Sequence, residues 1–224
     1  MTPRPPAGSA DTPARTGKHR RPARRRCRLA VALAILLAAS GCGRATAGAT
    51  PATTANGSPA AVATTPITGH VTGAAPSSCH ERAAVDGRPL PDPTCTPGVA
   101  SAAVTQANIA QTICRPGYTA TIRPPVRESG QLKRKLMAAY HEPGALGDYE
   151  LDHLISLELG GSNDAANLWP ERNDHPRAGV INSKDLVENA LHTDVCSGRV
   201  TLVQAQQAIA TDWTTASARL GVAA

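Results

Sequence analysis

Residues 149 to 161, YELDHLISLELGG, set an acid and an imidazole side by side, Asp152 then His153, inside an alternating apolar run that closes on Gly160-Gly161. A neutral imidazole, with an ordinary pKa of ~6.5, can take a proton from water near neutral pH. A carboxylate beside it can hold a divalent cation that polarises a phosphate and stabilises a leaving oxygen. Those two tasks together are ones that a hydrolytic site requires. Neighbouring residues of a regular strand point to opposite faces, so both can serve one site only where the strand ends or twists. The double glycine a few residues on makes such an ending feasible. Motifs of other hydrolases are missing: there is no HExxH, no GxSxG and no pair of CxxC, which removes the motif-based case for a zinc protease, a serine hydrolase or a zinc-stapled nuclease.

Behind the Asp-His pair come Gly160-Gly161-Ser162-Asn163-Asp164, then Asn167-Leu168, then a helix opening on Asn182-Ser183-Lys184. Over residues 148 to 192 this order resembles the HNH endonucleases, the ββα-metal nucleases. More narrowly, DHLISLELGGSNDAANLWPE followed by KDLVENALH resembles a group of exported bacterial proteins built around that motif. The resemblance implies His153 as general base and Asn167 as the asparagine that ties down the loop and helps to orient the histidine. It implies Asp152 as metal ligand and Asn182 as the second ligand, where relatives carry His or Asn. His175 competes for that place; Asn182 is preferred because a helix holds a ligand more rigidly than the Pro-flanked DHPR loop. Oxygen-rich ligation suits Mg²⁺ or Mn²⁺. The implied substrate is nucleic acid, DNA ahead of RNA. A second class of function stays open, a catalytically inactive cell-envelope lipoprotein that uses the HNH-like fold as scaffold or binding module. The neutral amide at the last ligand position, a weaker ligand than imidazole, permits it.

The elements that must position these residues follow from periodicity. SGQLKRKLMAAY places Leu132, Leu136, Met137 and Tyr140 on one helical face. Its outward residues Lys133, Arg134 and Lys135, with Arg123 and Arg127, make the densest basic cluster after the leader and are candidate phosphate contacts; a plain solvated face is the competing reading. DYELDHLISLELGG predicts a strand or two, and Asn167-Leu168-Trp169 opens the return strand. Glu150 and Glu158 share the even spacing of Asp152 and are expected on a solvated strand face. NSKDLVENALHTDV spaces Leu186, Val187, Ala190 and Leu191 for a helix, and VTLVQAQQAIATDW does the same with Val203, Ile209 and Trp213. A short helix is predicted over 99–113 and a strand over YTATIRPPV, stopped by Pro124-Pro125. The fold class expected is α+β, a mainly helical small domain around a ββα hairpin-helix core, stapled by disulfides.

The N-terminus belongs to export rather than to the fold. The basic run RRPARRRCR, the apolar LAVALAILLAA and the exit Ala39-Ser40-Gly41-Cys42 make a signal peptide over residues 1–41. The exit resembles the bacterial lipobox, which implies lipidation of Cys42, a membrane anchor through that lipid and a place on the outer face of the cell membrane; secretion is the alternative. Residues 42–77, rich in Ala, Thr and Pro, predict a disordered linker, and 78–224 the domain. Nine of the 23 Lys and Arg, but one of the 17 Asp and Glu, fall in residues 1–41. The remainder holds 14 bases against 16 acids, a formal −2, so the basic pI of the whole chain is no argument for nucleic-acid binding. Setting aside Cys27 in the leader and Cys42, four cysteines remain, and four allow three connectivities. Local pairing of Cys79 with Cys95 and long-range pairing of Cys114 with Cys196 is the expectation.

Overall fold

The computed structural model describes residues 61–66, 68–175 and 181–223. The signal peptide, Cys42 and the first part of the linker lie outside them. The described chain is an α+β domain of short sheets and helices. Strand β1 (Ala63–Thr65) pairs in parallel with β4 (Val99–Ser101), Ala63 opposite Val99; between them β2 (Arg82–Ala83) and β3 (Pro89–Leu90) form a small antiparallel pair. Helices α1 (Tyr118–Ile122) and α2 (Val126–Ala139) lead to the central hairpin, β5 (Tyr149–His153) with β6 (Leu168–Arg172). Helices α3 (Ser183–Cys196) and α4 (Leu202–Leu220) close the chain.

The hairpin register sets Glu150 opposite Glu171, Asp152 opposite Trp169 and His153 opposite Leu168. Residues directly opposite in an antiparallel pair share a face, so Glu150, Asp152, Trp169 and Glu171 lie together on one side. The core is built as two clusters. Leu132, Leu136, Ala139 and Tyr140 of α2 pack with Leu154, Leu168 and Trp169 of the hairpin region. Val187, Leu191 and Val195 of α3 pack with Leu202, Ala205, Ile209 and Trp213 of α4, Ile155 and Leu159. The Cys79–Cys95 and Cys114–Cys196 disulfides both form, the second joining the segment before α1 to the last residue of α3. Both tryptophans are buried as expected. On the last two helices the buried face is turned slightly from the expected one, since Leu186 and Val203 are exposed while Val187, Leu191 and Leu202 are buried.

Three expectations are corrected. Residues 99–113 do not form one helix: β4 comes first, held by Ser101 N–H to Gly160 O at 2.7 Å and Ser162 N–H to Val99 O at 2.9 Å, and a 3₁₀ helix follows at Gln106–Gln111. Pairing with the double-glycine segment and with β1 outweighs local helical spacing. Residues 118–122 are helical, not extended, starting after the left-handed Gly117 and leaving Arg123-Pro124 extended; tertiary contacts override the β-branched composition. Ordered structure also begins ahead of Ser78, because residues 63–65 are strand and Thr72 donates to Asn163 O and accepts from Ala165 N–H, at 3.0 and 2.9 Å.

Candidate active site

Strand β5 ends at His153, and the chain turns there through Ser156 into a 3₁₀ turn, Leu157–Leu159. That ending lets consecutive residues face one cleft: Asp152 and His153 both line it, with Arg123, Glu150, Ser156, Glu158, Asp185 and Glu188. A second, larger cleft of about 590 Å³ runs along α2 and shares Arg123, Glu150 and His153 with the first. The imidazole thus stands where two clefts meet.

His153 is held by the turn. Asn163 Nδ2 donates to Ile122 O at 2.7 Å, which leaves Asn163 Oδ1 to accept from His153 Nε2 at 2.9 Å. The ring therefore carries its proton on Nε2, an assignment made from the hydrogen-bond network, and Nδ1 has no hydrogen-bond partner among the described residues. Burial disfavours the charged ring and pulls its pKa down to about 4, with the Asn163 bond opposing. The imidazole is neutral at physiological pH with its basic nitrogen uncommitted.

The geometry keeps Asn167 in its expected place as the tie of the loop and gives the contact with the histidine to Asn163. Asn167 is wholly buried, and its amide makes four bonds, accepting from Val99 and Ile155 N–H and donating to Ile155 O and Ser162 O, all between 2.9 and 3.1 Å. It ties β4, the strand exit and the double-glycine turn together with no side-chain hydrogen bond to His153, so it is a positioning residue for the loop. Gly161 is forced by this crowding: a Cβ there would stand 1.7 Å from Ile155 O and 2.9 Å from Asn167 Nδ2. The residue that contacts the histidine is Asn163, already visible in the turn motif but without a role assigned from it.

The expected metal pair is not assembled. Asn182 stands before α3, where its Oδ1 accepts from Asp174 N–H at 3.0 Å and its Nδ2 reaches Glu150 at 3.4 Å and Asn173 at 3.5 Å. His175 is exposed and makes no hydrogen bond or ion pair among the described residues. Asp152 instead accepts from Trp169 Nε1 at 2.7 Å and is ion-paired with Lys184 at 2.8 Å, both through Oδ2. Lys184 comes from the first turn of α3, is 1% exposed, and also donates to His153 O at 2.9 Å and to Glu188. The ammonium sits between the two carboxylates that the helix and hairpin bring together, where a divalent ion would have to lie to bridge them. With Lys184 paired to it, the Asp152 Oδ2 position does not fit Mg²⁺ or Mn²⁺, and no step below is routed through a metal. Among the described residues the only group of three His, Cys, Asp or Glu side chains with ligand atoms mutually within 4.8 Å is Cys114, His192 and Cys196, and both sulfurs are spent in the disulfide.

Around this ion pair the cleft is over-supplied with acid. Burial and then the Asp152 charge push Glu150 up to about 7; burial and Asp152 also raise Glu171 well above the carboxylate range, and burial raises Glu188 against the pull of Lys184. Lys184 is held charged because the surrounding carboxylates outweigh its own desolvation. Glu150, expected on a solvated face, is half-buried in the cleft. Of the basic cluster, Lys133 lines the larger cleft and donates to Tyr149 O at 2.6 Å, and Arg123 lines both clefts. Arg134 and Lys135 are exposed, Lys135 on a different groove beside Glu128. The Lys184–Glu188 pair was foreshadowed only by its i, i+4 spacing within KDLVE.

Fold and site define an α+β domain whose hairpin and following helix enclose a neutral histidine in a charged cleft. Comparison with protein-family models, with curated proteins and with solved structures finds no match.

Proposed function

We propose that the protein is an exported nuclease of the HNH type that hydrolyses phosphodiester bonds of nucleic acid, with His153 as general base. The observation that carries the reading is the uncommitted Nδ1 of a neutral imidazole at the junction of two clefts flanked by Arg123 and Lys133. In this reading Nδ1 takes the proton of a water whose oxygen attacks the phosphorus, the bond to the leaving sugar oxygen breaks and that oxygen takes a proton from solvent, while Asn163 holds the ring against rotation through Nε2 and the Arg123 guanidinium meets the phosphate. Lys133 bears on the strand running into the larger cleft. DNA is the preferred substrate, and Cys42 carries a lipid that tethers the domain outside the membrane.

The purified exported chain is incubated with supercoiled plasmid and with RNA, in EDTA and separately in Mg²⁺ and Mn²⁺, beside His153→Ala. Strand cleavage by the wild type that the substitution abolishes supports the nuclease; no cleavage under any of these conditions overturns it. One observation favours a second reading, a binding module without catalysis: Asp152, the residue expected to recruit a catalytic metal, has its Oδ2 taken by Lys184 and Trp169. In that case nucleic acid or an envelope ligand is bound at the same cleft and left intact. Mass spectrometry of the mature N-terminus tests the lipid on Cys42.

A further inference from the structure

We infer that Lys184 is a built-in cation standing in the place of a divalent ion, so that the wild-type cleft binds none, and that removing its side chain uncovers a divalent-cation site formed by Asp152, Glu188 and the His153 carbonyl. The inference concerns the site of the reading above but rests on binding alone, not on catalysis.

An ammonium has three N–H donors. Those of Lys184 are matched by three oxygens from two elements: Asp152 Oδ2 at 2.8 Å and His153 O at 2.9 Å from the end of β5, and Glu188 Oε1 four residues along α3. Two carboxylates and a backbone carbonyl around one buried charge are the donor types that oxygen-binding cations use. The lysine stem is as buried as its head, at 1% side-chain exposure, so the space is filled and not merely bordered. Hard divalent ions would have to expel a fully buried, paired ammonium to reach these oxygens, and leaving two buried carboxylates with no cation is strongly unfavourable.

A second feature marks the place as built for charge compensation. Ser156, 4% exposed, lines the same cleft, and its hydroxyl oxygen has no hydrogen-bond partner among the described residues; one carboxylate oxygen of Glu158 is in the same condition. These are further oxygen donors not committed elsewhere. Shortening Lys184 to alanine deletes the internal cation, opens its volume and leaves Asp152 and Glu188 facing an empty space with Ser156 lining the cleft beside it. A divalent ion with retained waters is the species that restores neutrality there.

Mn²⁺ is titrated into the metal-free wild type and into Lys184→Ala, followed by the electron paramagnetic resonance of free Mn²⁺ and by thermal unfolding with and without the ion. The expected result is no saturable cleft site in the wild type and one in Lys184→Ala, tighter by ~10-fold or more than any wild-type binding. Added Mn²⁺ then raises the Tm of that variant and leaves the wild type unchanged. Asp152→Asn in the Lys184→Ala background abolishes the new site. A stoichiometric Mn²⁺ site in the wild type that Asp152→Asn removes would overturn the inference, and this arm needs no lysine variant to fold. A folded Lys184→Ala that binds no Mn²⁺ overturns it as well. Failure of the wild type to cleave nucleic acid sinks the nuclease reading and leaves these binding results standing.

Discussion

A histidine buried as His153 is must fold uncharged, which fixes when it can act. With its pKa drawn down to about 4 by burial, the base is ready throughout the neutral range. The acidic limb of kcat/KM for cleavage is therefore expected near pH 4, well below the ~6.5 of an exposed histidine. A limb near 6.5 in the pH profile would show that the ring is not buried during turnover. Asn163→Ala removes the acceptor that fixes the Nε2–H tautomer; kcat is expected to fall by roughly 10-fold or more while substrate affinity changes little. Asn167 makes a contrasting prediction. Its replacement by alanine strands two buried N–H groups and two carbonyls, at a cost of ~3 kcal/mol or more measured by urea unfolding. Its loss acts on stability first, because its amide bonds go to Val99, Ile155 and Ser162 and not to the histidine.

The elements around the site are stitched by contacts far apart in sequence. Thr72 clamps the Asn163–Ala165 turn, donating from its hydroxyl to Asp164 at 2.9 Å, while β1 pairs with β4 and β4 lies against Gly160 and Ser162. A chain begun at Ser78 is expected to lose this brace, with a lower urea midpoint and weaker protection of the Ser162 amide from hydrogen exchange; unchanged values in both would deny the first strand a role. The Cys114–Cys196 bridge closes a separation of 82 residues, and its removal as a Ser pair is expected to cost ~2–5 kcal/mol. Much of this level was legible in the sequence where the signal is local. The α2 face, the hairpin with its return strand at Leu168, both disulfides and both C-terminal helices are written in spacing and turn residues. What was illegible depended on partners elsewhere: Val99–Ser101 is a strand because it pairs with Ala63–Thr65 on one side and with the double-glycine segment on the other, and Tyr118–Ile122 is a helix that leaves Ile122 O for Asn163. The site divided in the same way. Asp152, His153 and the Gly-Gly-Ser-Asn-Asp turn announce themselves by type and order. That the helix would present Lys184 to Asp152, and not Asn182, turns on which face of α3 meets the hairpin, and periodicity alone resolves that only to within a residue or two.

At the scale of the whole molecule, the buried charges make folding depend on pH in a direction that can be worked out. His153 has a depressed pKa, so it contributes stability above ~6.5 that is lost as pH falls through about 4. Glu150 has a raised one, from 4.5 to about 7, so its contribution is complete below 4.5 and is lost as pH rises through 7. Over that shared window the two oppose each other. Glu171 and Glu188, raised in the same sense as Glu150, tip the balance. The wild-type Tm is therefore expected to fall as pH is raised from about 5 to about 8.5, by roughly 5 °C or more. Two substitutions separate the contributions. Glu150→Gln takes away a group that resists ionising in the fold and should flatten the decline between pH 4.5 and 7. His153→Gln takes away the opposing group and should steepen it. Scanning calorimetry across the pH series reads both slopes, and a Tm that climbs steadily from pH 5 to 8.5 would mean that the carboxylates around Lys184 are not held against ionisation. The same excess of acid explains why a lysine can be buried here at all: α3 and the hairpin bring together more carboxyl groups than the cleft lets ionise, and the ammonium of Lys184, beside Asp152 and Glu188, compensates the charge that does form.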